Sequence, residues 1–112
     1  MSVLTLNEEI ILIAVCRLGG SAHGVAIRDK IAELSGKEIV YGTIYNSLEY
    51  LIRKGFVRSA KGEPTPERGG KRKTIYSVTS TGKDALMKTR SLHERLWKGM
   101  PDLIIDHPGE AE

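Results

Sequence analysis

The chain has 112 residues, of which 40% are hydrophobic and 28% charged; this suits one folded domain and excludes a disordered chain. Its net charge of +3 is unevenly spread: residues 1–67 balance, residues 68–98 carry nine basic against two acidic side chains, and residues 99–112 carry four acids and no base. A concentrated basic block is an electrostatic footprint for nucleic acid, although a solvated helix face reads the same way by charge alone.

In chain order, Thr5 to Leu18 is the first predicted helix. Thr5 and Glu8 have capping-box spacing, with Asn7 as an alternative cap. Its apolar residues Ile10, Ile11, Leu12, Ile13, Val15 and Leu18 do not keep to one stripe. Such a helix is buried on more than one side, here against its own domain and against a partner subunit. A second helix is predicted from Gly24 to Leu34, with Val25, Ile27, Ile31 and Leu34 at three- and four-residue steps. A third runs from Tyr41 to Lys54 on an inner stripe of Ile44, Leu48, Leu51 and Ile52, and Gly55 ends it.

Two strands follow, at Phe56–Lys61 and Thr74–Thr79, marked by β-branched and aromatic residues. The connection predicted between them, Gly62 to Lys73, is longer than an ordinary hairpin loop of about two to five residues. Thr79 or Ser80 caps a fourth helix reaching Lys98. Leu86, Leu92, Leu96 and Met100 fall on one broad face, with Leu103 beyond and Trp97 beside it. This helix must bury that face, and the double-sided first helix is the obvious partner, in its own chain and in a second copy. The candidate dimer interface is therefore Leu6, Ile10, Ile13, Leu86, Leu92, Leu96, Trp97 and Met100.

The resulting fold class is mostly α with a small β-hairpin: a winged helix-turn-helix plus a C-terminal dimerisation helix. We place the DNA-binding unit at residues 1–79, the dimerisation helix at 80–100 and an acidic tail at 101–112. In a helix-turn-helix the second helix of the motif lies in the major groove, here Tyr41–Lys54. Its candidate DNA contacts are Tyr41, Gly42, Thr43, Tyr45 and Asn46; Tyr45 is equally readable as partly core. Arg68, Gly69, Gly70, Lys71, Arg72 and Lys73 form the candidate wing, where cations neutralise phosphate and glycines allow close approach. A flexible solubilising loop is the plainer reading of that segment.

These segments resemble the PadR family of transcriptional regulators. Tyr41-Gly42-Thr43-Ile44-Tyr45-Asn46-Ser47-Leu48-Glu49-Tyr50-Leu51, followed by Gly55-Phe56-Val57, is similar to its recognition-helix signature. Gly62 to Lys73 is similar to its wing, and Tyr76-Ser77-Val78-Thr79-Ser80-Thr81-Gly82 to its last strand and following turn. Ala22-His23-Gly24-Val25-Ala26-Ile27 resembles the start of its second helix, with His23 in place of an expected tyrosine. The resemblance covers residues 6 to about 98 and is to the family's short form. It implies a repressor that binds double-stranded operator DNA as a homodimer, with a pseudo-palindromic operator following from the dimer symmetry. It also implies release by a small-molecule effector in some members. In some short members aromatic groups at the dimer interface line a drug-binding pore, which makes Trp97 a candidate ligand contact; plain dimer packing is the competing reading.

The remaining residues argue against other classes. The single cysteine, Cys16, rules out an intrachain disulfide and fits a reducing compartment. No signal-peptide pattern opens the chain, and the longest apolar run, Ile10 to Cys16, is far short of the about 20 residues that span a bilayer. A cytoplasmic location and no membrane association are expected. His23, His93 and His107 lie in separate segments without metal-ligand spacing to Cys16, so neither metal nor cofactor is expected. No phosphate-binding loop or catalytic constellation is present in the sequence, so the chain is not expected to be an enzyme. The alternative to an operator-binding regulator is a winged-helix protein-interaction module.

Overall fold

Thr5 opens the first helix with a reciprocal cap. Its hydroxyl accepts from the Glu8 amide at 3.1 Å, while its own amide donates to the Glu8 carboxylate at 2.8 Å. Two donors that a helix start leaves open are thereby satisfied. The computed structural model describes residues 4–64 and 72–106. In these the order is α1 (Leu6–Arg17), β1 (Ser21–His23), α2 (Gly24–Ser35), α3 (Tyr41–Arg53), β2 (Val57–Pro64), β3 (Arg72–Val78) and α4 (Ser80–Trp97).

All four predicted helices form, but the sheet differs from the expected hairpin. It has three antiparallel strands in the order β1-β3-β2. The extra strand pairs Ser21, Ala22 and His23 with Ser77, Tyr76 and Ile75 of β3. The predicted loop is also too long. Beyond the Lys61–Thr74 pair the ladder continues irregularly to Pro64 and Arg72, which leaves residues 65–71 between the strands. Arg68, Gly69, Gly70 and Lys71 of the candidate wing lie outside the described residues, as do His107 and the rest of the tail beyond residue 106.

The core is built where the three first helices meet one face of the sheet. Ile11, Leu12 and Val15 of α1, Ile27 and Ile31 of α2, and Ile44, Leu48 and Leu51 of α3 are almost fully shielded from solvent. Phe56, Val57, Tyr76 and Val78 close it from the ribbon. Each such side chain contributes about 1.5–3 kcal/mol by leaving water. In α2 the expected inner stripe narrows. Val25 and Leu34 are exposed, because Val25 lies off the Ile27–Ile31 stripe and Leu34 sits in the last turn of the helix. Cys16 and Leu18 are partly buried against the core.

His23 has a structural role at the head of α2. Its Nδ1 accepts from the Ala26 amide at 3.3 Å and caps α2. At the other end of the ribbon, Thr79 caps α4 by accepting from the Gly82 amide and donates to the Gly55 carbonyl at 2.6 Å. A Cβ on Gly82 would run into the Phe56 carbonyl, so this strand-to-helix turn requires glycine. The inner face of α4 is carried by Gly82 and Thr89, which are buried, and by Ala85 and Leu86, which pack against the core. No helix among the described residues is long and apolar enough to cross a membrane.

Candidate nucleic-acid interface

Helix α3 starts without help. Val40 occupies its N-cap position and supplies no side-chain hydrogen bond. Its carbonyl takes up the amides of Thr43 and Ile44 at 2.9 and 3.3 Å. The first amides of the helix therefore face outward with the positive end of the helix dipole, an arrangement that suits phosphate. Because Ile44, Leu48 and Leu51 turn inward, the 3.6-residue period turns Gly42, Thr43, Tyr45 and Asn46 outward, and all four are exposed.

Three tyrosines join the start of α3 to the ribbon. Tyr41 lies over Gly24, and a Cβ there would collide with its ring; glycine at the head of α2 lets the two helices close up. Tyr45 is 44% exposed. The Glu49 carboxylate beside its hydroxyl raises the Tyr45 pKa, through hydrogen bonding first and charge second. Tyr76 is buried and lines the same cleft as Tyr41 and Tyr45. Its pKa is raised by burial first, and then by Tyr41, Tyr45 and Glu49. A cleft of about 240 Å³ runs between the helix and the ribbon here, lined among others by His23, Tyr41, Tyr45 and Lys73.

A second cleft of about 320 Å³ continues along the ribbon side of α3, past Tyr45, Glu49, Ser59 and Lys61. The opposite side of the helix carries a third, of about 340 Å³, lined by Thr5, Glu8, Asn46, Ser47, Tyr50 and Lys54. The outer face of α3 is thus a ridge between two grooves. Lys73 stands exposed on β3, and Arg58 and Lys61 stand exposed on β2. Arg72 pairs with Pro64 across the ribbon.

The C-terminal half of α3 carries further exposed residues. Tyr50 is exposed, with the Arg53 guanidinium 5.7 Å and the Lys54 ammonium 6.0 Å from its ring centre, both within cation–π range. Lys54 also reaches back to Glu8 at 2.7 Å. Helical period alone could have found this half: Gly42, Asn46, Glu49 and Arg53, at steps of four, three and four, lie opposite the buried stripe.

The candidate dimer residues divide into two sets. Ile10 and Leu86 pack partly against the chain's own core, and Leu92 is half-buried. Leu6, Ile13, Leu96, Trp97 and Met100 are exposed, and so are Leu103, Ile104 and Ile105 beyond them. Trp97 is 63% exposed at the last turn of α4. Helices α1 and α4 meet through His93, whose Nε2 lies 3.1 Å from both carboxylate oxygens of Glu9. Among the described residues no group of His, Cys, Asp and Glu is arranged to hold a metal ion.

The fold is a winged helix, as comparison with solved structures bears out. F93 from STIV, a winged-helix DNA-binding protein, superposes with a TM-score of 0.71 at 16% identity, covering 89% of this chain and all of that one. RosR of H. salinarum matches at 0.67 and 22% identity, over 88% of this chain and 81% of that one. A PadR family transcription regulator from hypervirulent Clostridium difficile R20291 matches at 0.61 and 26% identity, over 80% of this chain and 90% of that one. No curated protein sequence matches the chain. Residues 12–88 match the sequence pattern of the PadR-like family, a span that runs from the middle of α1 through the recognition helix and the ribbon to the first half of α4. The chain therefore belongs to the PadR-like family of transcriptional regulators.

Proposed function

We propose that this regulator is a cytoplasmic homodimer that binds a pseudo-palindromic operator and represses transcription. The observation that carries the DNA-binding reading is the uncapped start of α3 with Thr43, Tyr45 and Asn46 exposed beside it, flanked by Lys61 and Lys73 on the ribbon. Amides and hydroxyls at a helix start hold phosphate, and an asparagine one turn further in reaches a base edge. In the sequence, the segment Arg68, Gly69, Gly70, Lys71 and Arg72 adds three further cations, which supports the same reading. F93, which shares the fold, is itself a DNA-binding protein. Repression, like release by a small-molecule effector, follows from the family resemblance.

The dimer reading rests on exposed apolar surface. Leu6 and Ile13 on α1 and Leu96, Trp97 and Met100 at the end of α4 are solvent-facing in the single chain. Small domains gain stability by burying such surface against a second copy. Trp97 then packs the interface and is the residue best placed to touch an effector bound there.

Gel-shift titration on the DNA upstream of the protein's own gene tests the reading. Asn46→Ala is expected to weaken operator binding by about tenfold, as for loss of one base contact. Lys73→Ala is expected to lower the slope of log affinity against log salt by about 1, as for one phosphate contact. Unchanged binding in both variants overturns the assignment, and no shift even at low salt favours a protein-interaction module instead.

A further inference from the structure

Glu49 is the only acidic residue in α3, and it stands on the face turned away from the core. The inner stripe of Ile44, Leu48 and Leu51 fixes the helix's rotation. The opposite stripe is Gly42, Asn46, Glu49 and Arg53, with Tyr45 and Tyr50 as its two shoulders. Glu49 is half-buried, at the mouth of the cleft between α3 and the ribbon. Among the described residues no cation pairs with it. Lys61 lines the same cleft, but its ammonium donates to the Thr74 hydroxyl at 3.4 Å. Arg53 stacks on Tyr50, and Lys54 is held by Glu8. Tyr45, one turn earlier, lines the same cleft.

A carboxylate on a DNA-facing helix needs a hydrogen-bond donor, because it accepts only and is repelled by phosphate. On the floor of the major groove only the cytosine N4 and adenine N6 amines donate. Guanine and the thymine O4 edge offer acceptors, and adenine sets its N7 acceptor beside its amine. Cytosine presents its amine with no acceptor next to it. We propose that Glu49 is a specificity-determining residue that requires a cytosine amine in each half of the operator. This rests on the reading above that α3 enters the major groove. Glu49 gives little to affinity, since it opposes the phosphates wherever the matching base is missing. Its effect is discrimination: it lowers binding to wrong sequences more than to the right one.

The test is selection of bound duplexes from a randomised DNA library by the full-length protein, with Glu49→Ala, Glu49→Gln and, as a neighbouring control, Asn46→Ala. Thermal unfolding of each variant checks that it is folded. The wild-type protein is expected to enrich cytosine at one position in each half-site. Glu49→Ala is expected to lose that preference, with about tenfold poorer discrimination there, while the other positions stay as they were. Glu49→Gln is expected to exchange the cytosine for adenine, whose N6 and N7 an amide pairs together. Asn46→Ala is expected to alter a different position. Retention of the wild-type preference at every position in either Glu49 variant overturns the proposal while leaving the DNA-binding reading intact. A wild-type protein that enriches no sequence overturns both.

Discussion

The inner face of α3 and the outer end of α4 are built from the same kind of residue and end in opposite states. Ile44, Leu48 and Leu51 are sealed by α1, α2 and the ribbon. Leu96, Trp97 and Met100 have similar apolar bulk and stand in solvent. The difference is positional. Helix α4 leaves the core after Thr89, its last buried residue, and among the described residues the turns that follow are covered only in part, at Leu92 and where His93 meets Glu9. One helix therefore completes the subunit, and the other extends a surface from it. Because α1 carries the buried Ile11, Leu12 and Val15 together with the exposed Leu6 and Ile13, it belongs to both regions.

The largest test of this contrast is Leu48→Ala. The side chain is fully buried, so the expected loss is about 2–5 kcal/mol of unfolding free energy, the range for a leucine deleted from a packed core. Urea denaturation measures it. A loss below about 1 kcal/mol would mean that the core around α3 relaxes to fill the space, and the contrast with α4 would weaken.

How far the sequence revealed each region follows the same division. The helices were legible because their signals are local. The Thr5–Glu8 capping box, the Ile44–Leu48–Leu51 stripe and the Thr79 cap each lie within a few residues of the structure they create. Strand β1 was not legible. Ser21-Ala22-His23 contains no β-branched or aromatic residue, and it becomes a strand only because β3, more than fifty residues later, supplies the partner. The ribbon outran its prediction because Gly62 and Pro64 read as turn residues, whereas pairing with β3 keeps them in the ladder. At the site, Thr43, Tyr45 and Asn46 were found from the helix start. Glu49 was legible as an outward residue but carries no helix-start signal, and Tyr50 and Arg53 lie beyond the first turns where that signal acts, although the period that exposes Asn46 also exposes Arg53. Thr89 escaped because a polar residue gives no apolar signal; its hydroxyl is satisfied by the Ala85 carbonyl at 2.9 Å.

The next effect belongs to the open end. If Trp97 is the centre of a subunit interface, Trp97→Ala is expected to weaken self-association by about 2 kcal/mol, roughly thirtyfold. Unfolding of the dissociated subunit should stay near wild type, since the side chain lies outside the core. Sedimentation over a concentration series reads the first quantity, and denaturation at low concentration the second. Unchanged association would move the interface away from α4. A large loss of subunit stability would show that α4's end and α3's inner face are one cooperative unit rather than two regions.

The smallest effect sharpens the role of α1, which is tied to each region by a different carboxylate. Glu9 meets α4 through His93 at a half-exposed site, and Glu8 meets α3 through Lys54 at a buried one. Burial alone raises the Glu8 pKa, but the Lys54 ammonium and the Thr5 amide and hydroxyl outweigh it and leave it below the ordinary 4.5. Folding therefore favours the ionised form. The stabilisation is complete above the unfolded-state value near 4.5 and is lost as pH falls through the lower folded-state value. Glu8→Gln keeps an acceptor for Thr5 but removes the charge facing Lys54. It should cost about 1 kcal/mol at neutral pH, discounted for the partly exposed ammonium. In acid the wild-type carboxyl is itself neutral, so the gap between the two proteins should close there. Glu9→Gln should change stability by less than about 0.5 kcal/mol at neutral pH. A gap for Glu8→Gln that persists below the folded-state pKa would trace its effect to packing at the helix start rather than to the ion pair, and α1 would then be fixed to α3 by shape alone.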